Sequence, residues 1–144
     1  MNEKFPEKAQ AIMNERFGHD ALISLATTDG DTPYVRTVNS YYESGNFYII
    51  TDARSRKMHQ IEKNSAVALC GDWFTAHGIG ENLGYIAKPE NKNIIEKLRS
   101  AFSAWYGNGH INEADQNTVI LRIRLTNGVL FSHGTKYNID FSEN

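Results

Sequence analysis

Phe47-Tyr48-Ile49-Ile50-Thr51-Asp52-Ala53-Arg54-Ser55-Arg56-Lys57-Met58 changes character in its middle, and that change decides how the chain folds. Its first five residues are aromatic, β-branched or both in turn, the composition of a strand. Ser55 then carries the short hydroxyl side chain favoured at a helix N-cap. Met58 and Ile61 give a small apolar face to a helix from Arg56 to about Lys63. A strand thus passes into a helix across a loop that holds Arg54, Arg56 and Lys57.

Working back from this stretch, Ser44-Gly45-Asn46 reads as a tight turn, and Tyr34 to Tyr42 reads as the strand before it. Thr28-Asp29-Gly30-Asp31 is a second turn, preceded by the strand Ala21-Leu22-Ile23-Ser24-Leu25-Ala26-Thr27. Two successive hairpins imply an antiparallel meander. Phe5 to Phe17 has helical period, with Ala9, Ile12, Met13 and Phe17 on one face, Pro6 near its start and Gly18 just past its end. Working forward, Ala66 to Cys70 is strand-like, and a further strand lies within Phe74 to Tyr85, where Gly78, Gly80 and Gly84 blur its limits. Pro89 opens the longest helix, whose stripe is Ile94, Ile95, Leu98, Ala101, Phe102 and Trp105. It ends at Tyr106-Gly107-Asn108-Gly109-His110. Thr118 to Leu125 is the next strand. Asn127-Gly128 carries the strongest hairpin signal, with a return strand at Val129-Leu130-Phe131 and a last strand at Tyr137 to Phe141. The expected fold class is mainly β with peripheral helices. Six or seven antiparallel strands with short turns bury their apolar faces by closing into a small barrel.

The chain has 144 residues, which suits one domain over 1–144. Hydrophobic residues at 40% and aromatics at 11% argue for a packed core and against disorder. The net charge of -2, from 15 basic and 17 acidic residues, gives no general attraction to nucleic acid or an anionic membrane. Any anion site must be local. Cys70 is the one cysteine, so an intrachain disulfide and a four-cysteine zinc site are excluded. It is expected to be a small buried hydrophobe of its strand. The start lacks the apolar core of a signal peptide, and no apolar run approaches the roughly 18 residues of a membrane span. A cytoplasmic location, without membrane or nucleic-acid partners, is the expectation.

Strand alternation puts Tyr34, Arg36, Val38 and Ser40 on one face. After Thr51 the cation-rich loop feeds a helix N-terminus, where backbone N–H groups lack partners and the helix dipole is positive. Ser55 adds a hydroxyl, Arg56 a planar fork and Lys57 a mobile charge. Such a set suits an anion of phosphate size. It is equally the pattern of solvated charges on a turn. One point tilts the balance: cations at a helix N-terminus are unfavourable by roughly 0.3–1 kcal/mol each, so two adjacent ones call for an anion between them.

The paired segments Pro33-Tyr34-Val35-Arg36-Thr37-Val38-Asn39 and Phe47 to Met58 resemble the pyridoxamine 5'-phosphate oxidase-like family of FMN-binding split barrels. That family has an Arg-x-Val strand, an aromatic strand ending in Thr, and Ser-Arg-Lys opening a helix. The motifs lie between Ala21 and Cys70, and the order of elements continues to Phe131. The resemblance implies that Arg36, Ser55, Arg56 and Lys57 hold the FMN phosphate. It implies that Thr37, Val38 and Asn39 lie along the isoalloxazine edge, and that Ile50 and Thr51 line the ribityl channel. It also implies a homodimer with the flavin between subunits. The function implied is an FMN-dependent oxidoreductase that passes electrons from a reduced donor, such as a reduced nicotinamide, to a small-molecule acceptor. The short general-stress and nitroimidazole-resistance-type members are the nearer pattern. The oxidases of vitamin B6 metabolism hold their substrate phosphate with a C-terminal Arg-rich segment, whereas no arginine follows Arg124 here, which argues against pyridoxamine phosphate as substrate. Two alternatives are a non-catalytic FMN-binding or redox-sensing protein, and a haem-binding split barrel with His77 or His133 as axial ligand.

Other residues invite simpler readings. His77, His110 and His133 have no metal-ligand spacing. As proton donors they rank with His77 first, because it sits in a Gly-rich stretch. Trp105 is read first as the end of the core stripe, and second as a ring stacked over flavin or substrate. No residue stands out as a catalytic base.

Overall fold

The computed structural model describes residues 4–142. Helix α1 (Glu7–Phe17) leads into strands β1 (Ala21–Asp29), β2 (Thr32–Glu43) and β3 (Asn46–Asp52), then helix α2 (Arg56–Lys63) and strands β4 (Ala66–Gly71) and β5 (Phe74–Tyr85). A short 3-10 turn at Pro89–Asn91 precedes helix α3 (Lys92–Ala101), and strands β6 (Thr118–Ser132) and β7 (Thr135–Asp140) complete the chain. The strands run in the order β3-β2-β1-β4-β5-β6-β7, and β3 also pairs with β6. Six antiparallel strands therefore close into a barrel, and β7 lies outside it on β6. This is the mainly β, barrel-forming class expected from the sequence.

Alternation fills the barrel. Ala21, Ile23, Leu25 and Thr27 of β1 all point inward and are buried. Phe17, Phe47 and Phe74 meet at the centre, with ring centroids 5.5–6.4 Å apart. Met58 and Ile61 of α2 close one side of this core, as their helical spacing requires. A second cluster forms beneath α3 from Ile86, Ile95, Leu98, Phe102 and Ile120.

The barrel wall is split. β2 pairs with the whole length of β1, from Thr32 opposite Asp29 to Ser40 opposite Ala21. It meets β3 only at Tyr41–Tyr48, Tyr42–Phe47 and Glu43–Asn46. On its other side β3 pairs with β6 along its whole length, from Asn46 opposite Arg124 to Asp52 opposite Thr118. The free edge of β2 and the end of β3 diverge, and backbone groups along that edge need partners other than a strand.

Three local expectations are corrected. Asn127-Gly128 is not a hairpin turn, because β6 runs straight through it. His77 pairs with Asn127 and Gly78 with Leu125, so Thr126 is the extra residue of a bulge. Gly128 is there for space: a Cβ would sit 2.9 Å from Cε1 of Phe74. The β6–β7 turn is instead His133-Gly134, with φ of 49° and 79°, the left-handed pair that a tight hairpin requires. Helix α3 stops at Ala101, short of Trp105, yet Phe102 and Trp105 still pack into its cluster from the turns that follow. Cys70 is exposed. Val67 and Leu69 take the inward positions of β4, and alternation sends Ala68 and Cys70 to the outer face.

Candidate functional site

A cavity of about 610 Å³ opens where β2 and β3 part, within the roughly 300–1,000 Å³ usual for cofactor sites. Val38 and Asn39 form one lip, and Ile49, Ile50, Thr51 and Asp52 form the other. Lys57 enters from α2, and Trp105 with residues between Asn108 and Asp115 supplies a further part of the lining. Beside it lies a shallower recess of about 430 Å³ lined by Tyr34, Val35, Arg36, Ser55, Arg56 and Lys57. Lys57 belongs to both, so the two concavities share a boundary.

The local sequence explains the cations at that boundary. Arg36 projects from the inward face of β2 into the barrel end and donates to the Leu25 carbonyl (3.1 Å) and the Thr27 hydroxyl (2.7 Å). Thr27 in turn donates to Gln60 Oε1, and both residues are buried. Ser55 caps α2: its hydroxyl oxygen accepts the Met58 N–H at 3.4 Å. That places Arg56 and Lys57 in the first turn. Arg56 lies over the Tyr34 ring, 5.4 Å from its centroid.

Electrostatics separates these residues from their neighbour Arg54. Arg54 is bound to both oxygens of Asp52, at 3.0 and 2.8 Å, and reaches Asp115 at 3.5 Å. The Asp52 carboxyl is thereby held down at about 2, chiefly by its hydrogen bonds from Arg54. Among the described residues, Arg36, Arg56 and Lys57 take part in no ion pair. Burial lowers the Arg36 pKa, and the charge of Arg56 lowers it further. Burial lowers that of Lys57, and Arg36 adds to the effect, against a smaller opposing pull from Asp52. Three cations thus face one another with little compensation, which is the condition of an anion site.

The structure brings Arg36, Ser55, Arg56 and Lys57 together in the recess and sets Val38, Asn39, Ile50 and Thr51 along the cavity. Thr37 joins neither: it is exposed on the outer face of β2, opposite Ser24. Of His77, His110 and His133, it is His110 that lines the main cavity. The His77 ring lies on the outer face with Nδ1 3.1 Å from Asn127 Oδ1, and His133 sits in the β6–β7 turn. Sequence reasoning missed Asp20, which accepts hydrogen bonds from Asn39 Nδ2 (2.9 Å) and Trp105 Nε1 (2.8 Å). No local pattern signals it, because one partner lies 85 positions away. No cluster of three or more His, Cys, Asp or Glu suited to a metal occurs among the described residues. No described helix is long and apolar enough to cross a membrane.

The family model of pyridoxamine 5'-phosphate oxidase matches residues 6–130. The chain belongs to this family. A search of curated proteins finds no match. Solved structures extend the likeness in fold. General stress protein 26 from Bacillus anthracis superposes with a TM-score of 0.67 at 16% identity, over 90% of this chain and 98% of that one. An FAD-binding protein from Mesorhizobium loti gives 0.65 at 16% identity, over 82% and 90%. A heme binding protein from Mycobacterium smegmatis gives 0.65 at 12% identity, over 85% of this chain and 54% of the other. In this pyridoxamine 5'-phosphate oxidase family member, then, the split of the barrel, the cavity and the cation cluster coincide.

Proposed function

We propose that the chain binds FMN and serves as an oxidoreductase for a small molecule. The observation that carries this reading is the meeting of three cations that lack ion-pair partners among the described residues with the open end of the β2–β3 cavity. The residues fit the group. Arg36, Ser55, Arg56 and Lys57 would hold a phosphate at the recess, with the first-turn N–H groups of α2 adding donors. Ile50 and Thr51 would flank the chain that follows it. Val38, Asn39 and the free edge of β2 would offer apolar contact and backbone hydrogen bonds to a planar ring. When bound, FMN supplies hydride acceptance from a reduced donor such as a reduced nicotinamide, and electron delivery to a small acceptor. The chain's own residues bind, orient and exclude water. Neither Arg36, Arg56 nor Lys57 acts as an acid or base, and His110 is the imidazole lining the cavity.

The protein works as a homodimer in this reading. Leu22, Val35, Trp73 and Phe131 are 42–71% exposed. An apolar groove on the outer face of the barrel, lined by Ala26, Val35, Ala68 and Val129 among others, gives a second copy a surface to cover. Val35 also borders the cation recess, so the partner would close over the cofactor. Pyridoxamine phosphate remains disfavoured as substrate because β7 and its approach carry no arginine.

The absorbance spectrum of freshly purified protein, and of protein incubated with excess FMN, tests the cofactor. Flavin bands that persist through gel filtration support the proposal. A Soret band would identify a haem protein instead, and absence of both chromophores would end the flavin reading. Turnover with reduced nicotinamides against quinone, nitro and oxygen acceptors separates an enzyme from a protein that merely carries or senses flavin. Sedimentation of the loaded protein tests the dimer, and a monomer that holds FMN tightly would contradict it.

A further inference from the structure

Asp20 stands in the short link between α1 and β1 and ties together two parts of the cavity that are remote in sequence. Its Oδ1 accepts from Asn39 Nδ2 at 2.9 Å, and its Oδ2 accepts from Trp105 Nε1 at 2.8 Å. Asn39 belongs to the β2 lip, and Trp105 belongs to the segment after α3 that lines the same cavity. We propose that Asp20 is a positioning residue: it fixes the Trp105 indole and the Asn39 amide against each other and so sets how tightly the cavity holds a planar ring. This rests on the FMN reading for the identity of that ring.

The case follows from what else holds Trp105. Helix α3 has ended at Ala101, and turn hydrogen bonds from the Trp105 N–H to the Phe102 carbonyl (3.0 Å) and from the Asn108 N–H to the Trp105 carbonyl (3.2 Å) hold the backbone of Trp105 but not its indole. Its ring stacks on Phe102 with centroids 4.9 Å apart and planes 27° apart. Stacking limits the tilt of the indole but leaves it free to slide in its plane. The hydrogen bond to Asp20 removes that freedom. Asn39 has the complementary problem: its strand is fixed, while its side chain lies on the open edge and needs an acceptor to hold one rotamer. One carboxylate serves both, because it has an acceptor oxygen for each donor and no hydrogen of its own.

The segment that follows Trp105 has a separate anchor. Glu113 Oε1 accepts from Tyr106 Oη (2.7 Å) and Arg99 Nε (2.8 Å), and the Glu113 carbonyl accepts from the Tyr85 hydroxyl. Loss of Asp20 therefore frees the indole and the amide without releasing the whole wall. The substitution Asp20→Asn is nearly isosteric, yet it leaves a single acceptor oxygen and turns an NH2 group towards one of the two donors.

The test uses the full chain with Trp73→Phe, so that Trp105 is the one remaining tryptophan. Trp73 lies on the surface, 71% exposed, outside the cavity. Four readouts are taken with and without Asp20→Asn: acrylamide quenching of Trp105, the Kd for FMN, the inhibition constant of inorganic phosphate against FMN, and the emission of bound flavin. The expected result is easier quenching of Trp105, FMN binding about tenfold weaker, and brighter bound flavin as the indole loses contact with it. A tenfold loss corresponds to the net contribution of about one ordinary hydrogen bond. Phosphate inhibition should be unchanged, because Asp20, Asn39 and Trp105 are not among the residues that line the cation recess. Trp105→Phe, which keeps a stacked ring and removes the donor, should weaken FMN similarly and remains available if Asp20→Asn folds poorly. Asp20→Glu, with both oxygens restored, should recover part of the affinity. Unchanged quenching, unchanged FMN affinity, or an equal loss of FMN and phosphate would each overturn the proposal. Failure of the unsubstituted chain to bind FMN would instead remove the reading beneath it.

Discussion

Replacing Arg56 and Lys57 together by alanine should separate cofactor binding from folding. Neither side chain is held in an ion pair among the described residues, and Arg56 is exposed while Lys57 is partly covered. A hydrogen bond from a charged donor contributes about 1.5–3 kcal/mol. Arg56, facing solvent, belongs near the lower figure, and Lys57, partly desolvated, nearer the upper. A combined loss of about 3–5 kcal/mol raises the Kd for FMN by between a hundredfold and several thousandfold, roughly tenfold for each 1.4 kcal/mol. The fold should change little, because Ser55 keeps its cap on α2 and Met58 and Ile61 keep their places in the core. Titration of FMN followed by flavin fluorescence gives the affinity, and circular dichroism with a thermal melt gives the fold. An unchanged Kd with an intact melt would refute the phosphate assignment. Arg36→Ala is the less clean experiment, since it also removes bonds to Leu25 and Thr27 at the buried barrel end.

Three further outcomes are expected. Lys57→Met should weaken FMN binding yet stabilise the free protein by about 0.5–1 kcal/mol, because it removes a partly buried cation beside Arg36; a lower melting temperature without FMN would contradict this. Gly128→Ala should destabilise the chain by about 1–3 kcal/mol, as its Cβ would lie 2.9 Å from the Phe74 ring, and a urea titration that matches the parent would show the ring moving aside. Burial pushes the Tyr42 phenol up to about 12 from its ordinary 10.0, against a smaller lowering from the Gly45 N–H. The folded state thus keeps a proton that the unfolded state loses, so the Tyr42 contribution to stability is full below pH 10 and is lost as pH rises through about 12; Tyr42→Phe should flatten that fall, and an equal slope in both proteins would exclude Tyr42 as its source.

The fold was legible wherever local chemistry and tertiary demand agree. The two hairpins around β2, the cap at Ser55 and the apolar face of α2 stand where residue period put them. Asn127-Gly128 misled because its glycine answers a contact across the barrel with Phe74, which local sequence does not display. Cys70 misled because Val67, Ala68 and Leu69 look uniformly apolar, while the strand sends alternate residues to an outer face that is itself apolar. Within the site, the cation cluster was visible as a run of charges. Its lack of ion-pair partners among the described residues was not, since only the folded chain shows Arg54 paired with Asp52 and Asp115 while its neighbours are left. The Asp20 link joins residues too far apart for any motif to hold.

The most direct measurement is a titration of the purified chain, first stripped of any chromophore, with FMN and in parallel with riboflavin. Because Arg36, Arg56 and Lys57 face a phosphate in this account, FMN should bind stoichiometrically with quenched flavin emission, and riboflavin, which lacks the phosphate, should bind at least about a hundredfold more weakly. Equal affinity for the two, or no saturable binding of FMN, would contradict the central claim.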